Sequence, residues 1–201
     1  MRTVNLDRIK SVLQNVDLLS EIDSVFVAYS SGLAVVPPVG ELSFQSPPGD
    51  VHIKYGYINK DDVYVIKIAS GFYENRRENL PVGNGMMLVF SQKTGQPLAM
   101  LQDEGYLTDV RTAVAGAVAA KYLSPANIDC IGIVGTGTQA KLQLKYLKNV
   151  IDCDKVVVWG RNPDSLSDYI KSMDNYNYQV EPAASIDDIV KQCQPVSYTH
   201  L

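Results

Sequence analysis

The residues of this 201-residue sequence whose types and spacing suit chemistry fall in two places. The first is Gly135-Thr136-Gly137-Thr138-Gln139-Ala140, which follows the apolar run Cys130-Ile131-Gly132-Ile133-Val134 and leads into a helical stripe of Ala140, Leu144 and Leu147. A GxGxxA turn between a strand and a helix is built to receive a pyrophosphate. Gly135 permits the tight turn, and a side chain at Gly137 would keep phosphate from the free N–H groups and positive dipole end of the helix. The competing reading is a glycine-rich α/β turn that binds no nucleotide. The next strand ends Val158-Trp159-Gly160-Arg161-Asn162 without the Asp or Glu that usually meets the adenosine ribose of NAD. Arg161 could pair with a 2'-phosphate, which favours NADP over NAD, or it could be a solvated surface arginine.

The second place is a set of cations at unexpected positions. Lys67 interrupts Val63-Tyr64-Val65-Ile66-Lys67-Ile68-Ala69-Ser70, otherwise apolar on both faces. Burying an ammonium is costly unless it is paired or loses its proton, so Lys67 is a candidate catalytic residue that binds a substrate carboxylate or imine, orients water or shuttles a proton. The bland alternative is an edge-strand lysine reaching to solvent. Arg111 comes three residues after Thr108, the expected helix N-cap, where the macrodipole disfavours a cation. There it could hold an amino-acid carboxylate or a cofactor phosphate bidentately, or pair on the surface with Asp109 or Glu104. His52 and Lys54 share a strand face by the period-2 rule and point either to a cleft, with Lys54 a candidate substrate ligand, or to water. Glu41 is a weaker candidate, and Cys130 reads as an inert core thiol.

Apolar spacing sets the elements that position these residues. Leu6, Ile9, Leu13 and Val16, then Ile22, Phe26 and Tyr29, predict two amphipathic helices. Strands are predicted at 33–36, 51–57 and 63–70, with loops at Pro37-Pro38 and Pro47-Pro48-Gly49. A hairpin is predicted from 86–90 and 97–101 around Ser91 to Gln96. An Ala-rich helix over 107–123 ends at Ser124-Pro125. Beyond it, strand 129–134, helix 137–149, strand 155–159 and helix 163–173 alternate as a parallel sheet requires, and Asn162-Pro163 is a good helix start. The fold class is therefore α/β: an α+β sheet domain over 1–124, followed from 125 by a Rossmann-type dinucleotide-binding domain.

Composition narrows the partners. The net charge of -4 leaves no basic footprint for nucleic acid or an anionic membrane surface. No apolar run approaches the roughly 18 residues of a membrane span. Cys130, Cys153 and Cys193 are odd in number and lack metal-ligand spacing, and no secretory segment opens the chain, so no metal and a reducing, cytoplasmic setting are expected.

Four ordered stretches resemble the ornithine cyclodeaminase and mu-crystallin family: Lys67 to Asn75, Lys93 to Ala99, Leu107 to Ala113, and the glycine turn. The resemblance implies that Lys67 and Arg111 bind substrate and that Thr138 and Gln139 contact the cofactor. It also implies a bound NAD or NADP and a homodimer formed through the sheet domain. The implied reaction moves hydride at the α-carbon of an amino or imino acid, as a cyclodeaminase, a dehydrogenase or an imine reductase. The competing class is a protein that holds NADPH and a small ligand without turnover; retention of both Lys67 and Arg111 favours an enzyme.

Three departures from the family pattern stand out. Val39-Gly40-Glu41 replaces the arginine that ornithine enzymes carry after Pro-Pro, Val82 replaces a cofactor-contacting threonine, and the family's catalytic aspartate is not reached. A short strand over 178–180 and a helix over 186–191 should lead to another parallel strand near Cys193. The reading here is that 125–194 is an incomplete nucleotide domain, that 195–201 is a foreign tail in which His200 has no catalytic part, and that the fragment is poorly stable and inactive.

Overall fold

The structure, a computed structural model, describes residues 1–194 and 196–198. The chain divides into two compact units, Met1–Thr108 and Asp109–Leu201. In the first, β1 (Arg2–Asn5), α1 (Leu6–Leu13), α2 (Leu18–Ser30), β2 (Ala34–Val35) and β3 (Gly40–Gln45) precede β4 (Pro48–Ile58). Then come β5 (Val63–Gly71), β6 (Gly83–Ser91), β7 (Pro97–Gln102) and α3 (Tyr106–Leu123), which runs across the division. Among the described residues the first unit holds a seven-stranded sheet of order β1-β7-β6-β5-β4-β2, with β3 also pairing β4. All neighbours are antiparallel except β1, which lies parallel to β7.

The expected sequential sheet is present, with β5 in its interior between β4 and β6. Two strands had not been anticipated. β1 is only four residues long and takes its register from β7, and β3 occupies the stretch between the two proline pairs, placing Glu41 opposite His52. Proline does not open a long loop at 47–49, because β4 already begins at Pro48.

α3 starts at Tyr106, two residues before the expected cap Thr108. Glu104 and Gly105 have φ of 54° and 84°, a left-handed turn that brings the helix in early. Asp103 then meets the free N–H groups: its carbonyl accepts from Tyr106 N at 2.8 Å and its carboxylate from Leu107 N at 2.9 Å. Gly85 makes room for this turn, since a Cβ there would lie 2.8 Å from the Ile68 carbonyl oxygen and 3.5 Å from Gly105. The division between units falls at 108/109 rather than near Pro125, so the buried Val110, Ala113, Val114, Ala117 and Val118 of α3 belong to the second unit.

That second unit continues through β8 (Ile131–Val134), α4 (Thr138–Leu147), β9 (Lys155–Trp159), α5 (Pro163–Met173), β10 (Gln179–Pro182), α6 (Ile186–Gln192) and β11 (Val196–Tyr198). Its sheet is parallel throughout, in the order β10-β9-β8-β11. Period-2 alternation splits the strands between two cores. Ile131, Ile133, Val156 and Val158 pack with Ala140, Leu144 and Leu147 of α4 and Tyr169 and Met173 of α5, whereas Val134 and Val157 pack with Ile189 and Cys193. Asn162 caps α5 by accepting from Ser165 N at 2.9 Å, with Pro163 in the first turn. The strand expected after Cys193 is β11, formed by residues inside the stretch read as a foreign tail. His200 lies outside the described residues.

Candidate active site

Lys67 stands at the middle of β5, half-buried, in an interior strand. An edge-strand lysine reaching to solvent is therefore excluded. Its Nζ donates to Thr108 Oγ1 at 3.3 Å, so the residue expected to cap α3 instead orients the lysine from the helix's first turn. The antiparallel register sets Lys54 directly opposite Lys67, and Met87 opposite Lys67 on the other side. Directly paired residues share a face, so two ammonium groups project from one side of the sheet. Like charges facing across a ladder are unfavourable, and an anion between them relieves the repulsion. His52 lies two residues back on that face, its Nδ1 3.4 Å from Asp50 Oδ1 and its Nε2 4.0 Å from Glu41 Oε1. His52 is thus flanked by carboxylates, while Lys54 keeps its cationic neighbour.

In the second unit the glycine turn has the form its sequence implies. Gly135 takes φ of 111°, a conformation open to glycine, and its N–H donates to the Trp159 carbonyl at 2.8 Å, joining the end of β8 to that of β9. Gly137 is the N-cap of α4 and supplies no side-chain acceptor. By contrast α1, α2, α5 and α6 are capped by Asn5, Asp17, Asn162 and Ser185. A Cβ on Gly137 would meet no protein atom within 4 Å, so packing does not require glycine there; the missing side chain leaves the helix's N–H groups accessible, as a phosphate oxygen needs. Gly160 answers a packing demand, since its Cβ would fall 2.6 Å from Thr136 Cγ2. The residues fit a dinucleotide pyrophosphate.

The remaining candidates are distributed as follows. Thr138 is exposed at the first position of α4, and Arg161 is exposed just past β9. Gln139 turns its side chain toward α3, with Nε2 donating to both the carbonyl and Oδ1 of Asp109 at 3.2 and 3.0 Å. Arg111 is exposed, and because α3 begins at Tyr106 it sits in the second helical turn. The expected conflict between Arg111 and the helix dipole is therefore weak, since that effect fades after the first turn. Cys130 is buried with its Sγ 2.8 Å from that of Cys193, whose thiol is pushed up to about 12 by burial and by Cys130. Burial also raises the Tyr169 and Tyr178 hydroxyls, which donate to the Ala140 and Leu144 carbonyls. Among the described residues no group of three or more His, Cys, Asp or Glu is placed to hold a metal, and no helix is long and apolar enough to cross a membrane.

Sequence reasoning missed Asp103, the part of Asp109 as acceptor for Gln139, and the pairing of Lys54 with Lys67. The pairing depends on the turn at 59–62, where Lys60 has φ of 72°, and a non-glycine residue gives no sequence signal for that conformation.

The family model described as the ornithine cyclodeaminase/mu-crystallin family matches residues 3–199. A cyclodeaminase of Sinorhizobium fredii (strain NBRC 101917 / NGR234), itself uncharacterized, is 44% identical over 127 residues, which are 63% of this chain and 38% of that protein. A delta(1)-pyrroline-2-carboxylate reductase of Thermococcus litoralis, solved with NADH and L-proline, superposes with a TM-score of 0.88 at 24% identity, covering 98% of this chain and 61% of that one. An archaeal alanine dehydrogenase dimer with bound NAD gives 0.89 at 24%, covering 99% and 60%. The two superpositions are likenesses of fold. This chain spans about two-fifths of the first curated relatives' length (43% and 38%) and about three-fifths of the two solved chains. With its family match running over residues 3–199, the chain belongs to the ornithine cyclodeaminase/mu-crystallin family.

Proposed function

We propose that the protein is a nicotinamide-dependent enzyme that moves hydride at the α-carbon of an amino or imino acid. The observation that carries this reading is Lys67, held in an interior strand by Thr108 and faced across the ladder by Lys54. Two ammonium groups on one sheet face suit a substrate carboxylate, and a half-buried lysine fixed by a hydroxyl can give and take a proton at the substrate nitrogen. Arg111, exposed on α3, offers a guanidinium to a carboxylate or a cofactor phosphate. Gly135 and Gly137 leave the N–H groups of the first turn of α4 to the pyrophosphate. The nicotinamide, when bound, accepts hydride from the α-carbon or returns it to an imine.

Arg161 and the lack of an acid at the end of β9 support NADP over NAD. Substrates of the class bound by the related structures, small amino acids such as proline, fit the paired lysines. Val25, Phe26 and Tyr29 share a face of α2 and are 44–61% exposed, which supports a homodimer like that of the alanine dehydrogenase relative. Three free, buried cysteines support a reducing, cytoplasmic setting.

The test is to incubate the protein, as a chain extended to the length of its relatives, with a panel of amino acids and catalytic NAD or NADP while following cofactor absorbance and ammonia together. Ammonia without net reduced cofactor identifies cyclodeamination, and reduced cofactor formed one for one identifies a dehydrogenase. Tight cofactor binding with neither signal contradicts the enzymatic reading and supports a binding protein.

A further inference from the structure

The second unit contains a chain of side-chain amides that neither the packing of its cores nor the glycine turn explains. Gln139 is the second residue of α4, directly after the uncapped turn, yet its Nε2 donates at 3.0 Å to Asp109 Oδ1 and at 3.2 Å to the Asp109 carbonyl. Its Oε1 accepts from Gln143 Nε2 at 3.4 Å, one helical turn on, and Gln143 Oε1 in turn accepts from the Ser197 hydroxyl of β11. The amide of Gln139 is thereby fixed in one orientation, with its donors on α3 and its acceptor on α4. Asp109 lies two residues before Arg111 on α3. The turn of α3 that carries the arginine and the turn of α4 that faces the pyrophosphate are thus tied by two hydrogen bonds to a single residue.

We propose that Asp109 and Gln139 form a latch that couples dinucleotide binding at the glycine turn to the order of the Arg111 segment of α3, and that Asp109 is a positioning residue. The inference rests on the reading that the glycine turn binds a nicotinamide dinucleotide. A phosphate seated on the N–H groups of α4 restrains the backbone of Thr138 and Gln139. Gln139 passes that restraint to Asp109, and residues 109–112 lose freedom with it. Coupling by ordering is reciprocal: whatever anion Arg111 holds then tightens the dinucleotide site by the same factor.

The experiment is amide hydrogen exchange of the α3 peptide 109–118, with and without saturating NADH, in the protein and in two variants, with binding followed by fluorescence of Trp159, the single tryptophan. Asp109→Ala removes the side-chain acceptor, and Asp109→Asn keeps an Oδ1 acceptor while losing the charge. NADH is expected to slow exchange of this peptide by about fivefold, the factor that one net hydrogen bond supplies. Asp109→Asn should retain that slowing, and Asp109→Ala should reduce it to less than about twofold, roughly the loss of one acceptor. Equal slowing in the protein and in Asp109→Ala overturns the latch, as does loss of slowing in Asp109→Asn. Binding of NADH with no slowing in the unaltered protein overturns the coupling alone and needs no variant to fold. Failure to bind either NADH or NADPH overturns the cofactor reading and the coupling with it.

Discussion

Replacing Lys67 by methionine should abolish turnover and leave stability nearly unchanged. The variant loses the hydrogen bond from Nζ to Thr108 Oγ1, worth about 1.5 kcal/mol for a charged donor. It also removes the like-charge facing with Lys54, which relieves about 0.2–1 kcal/mol. Methionine is close in length and needs no solvation in its half-buried position, so its apolar atoms recover part of the rest. The balance lies within about 1 kcal/mol of zero, or about 2–4 °C in Tm for a chain of this size. If Lys67 holds the carboxylate and moves the proton, kcat/KM should fall by about a thousandfold or more, equivalent to roughly 4 kcal/mol of lost transition-state stabilisation. Urea titration monitored by circular dichroism reads the first quantity and steady-state kinetics the second. An anion between the two lysines also predicts that added phosphate stabilises the protein more than it stabilises Lys67→Met. A loss of more than about 3 kcal/mol would refute the reasoning, because it would make Lys67 one half of a tightly satisfied structural pair. So would turnover within tenfold of the original.

Gly137→Val should fold, since its Cβ meets no protein atom within 4 Å and its φ of -82° suits any residue, yet it should weaken NADH binding by about a hundredfold, or roughly 2.7 kcal/mol, in a fluorescence titration. Gly85→Ala should behave in the opposite way: its Cβ would lie 2.8 Å from the Ile68 carbonyl, so urea denaturation should show a loss of about 1–3 kcal/mol. The Cys193 thiol and the Tyr169 and Tyr178 hydroxyls are all raised by burial. Each therefore favours the fold fully below its ordinary value, from 9.0 for the thiol to 10.0 for the phenols, and loses that contribution as pH climbs toward the raised value. Stability measured by urea titration should thus decline from about pH 9 upward, and Tyr169→Phe should flatten the decline.

Legibility in the sequence followed the range over which each signal acts. α5 was read to its observed bounds because Asn162 and Pro163 mark its start locally, and β9 because its three consecutive buried valines leave no polar alternation. β5 was legible from its apolar run, and Lys67 stood out against it. β1 was not legible, because four residues that pair with a strand nearly a hundred positions away carry no periodicity of their own. β3 carries the alternation of a strand, with Leu42 and Phe44 between Glu41, Ser43 and Gln45, and it was missed because the proline pairs on either side marked the stretch as loop. Thr108 is a good capping residue by type, but the left-handed turn at Glu104-Gly105 starts the helix before it and gives the capping task to Asp103. The amide of Gln139 matched a cofactor position, and only the neighbouring helix shows that its hydrogens go to Asp109. Cross-element partners of this kind are set by packing and leave no trace in spacing.

The most direct test of the central claim is to supply a panel of amino acids deuterated at the α-carbon, each with NAD or NADP, and to locate the label by mass spectrometry. The account predicts cofactor-dependent transfer: deuterium appears on the nicotinamide ring for a net dehydrogenase, or passes through the cofactor and returns to the α-carbon of a cyclised, ammonia-free product. Loss of the label to water without any need for cofactor, or its retention in unreacted amino acid across the whole panel, would contradict it.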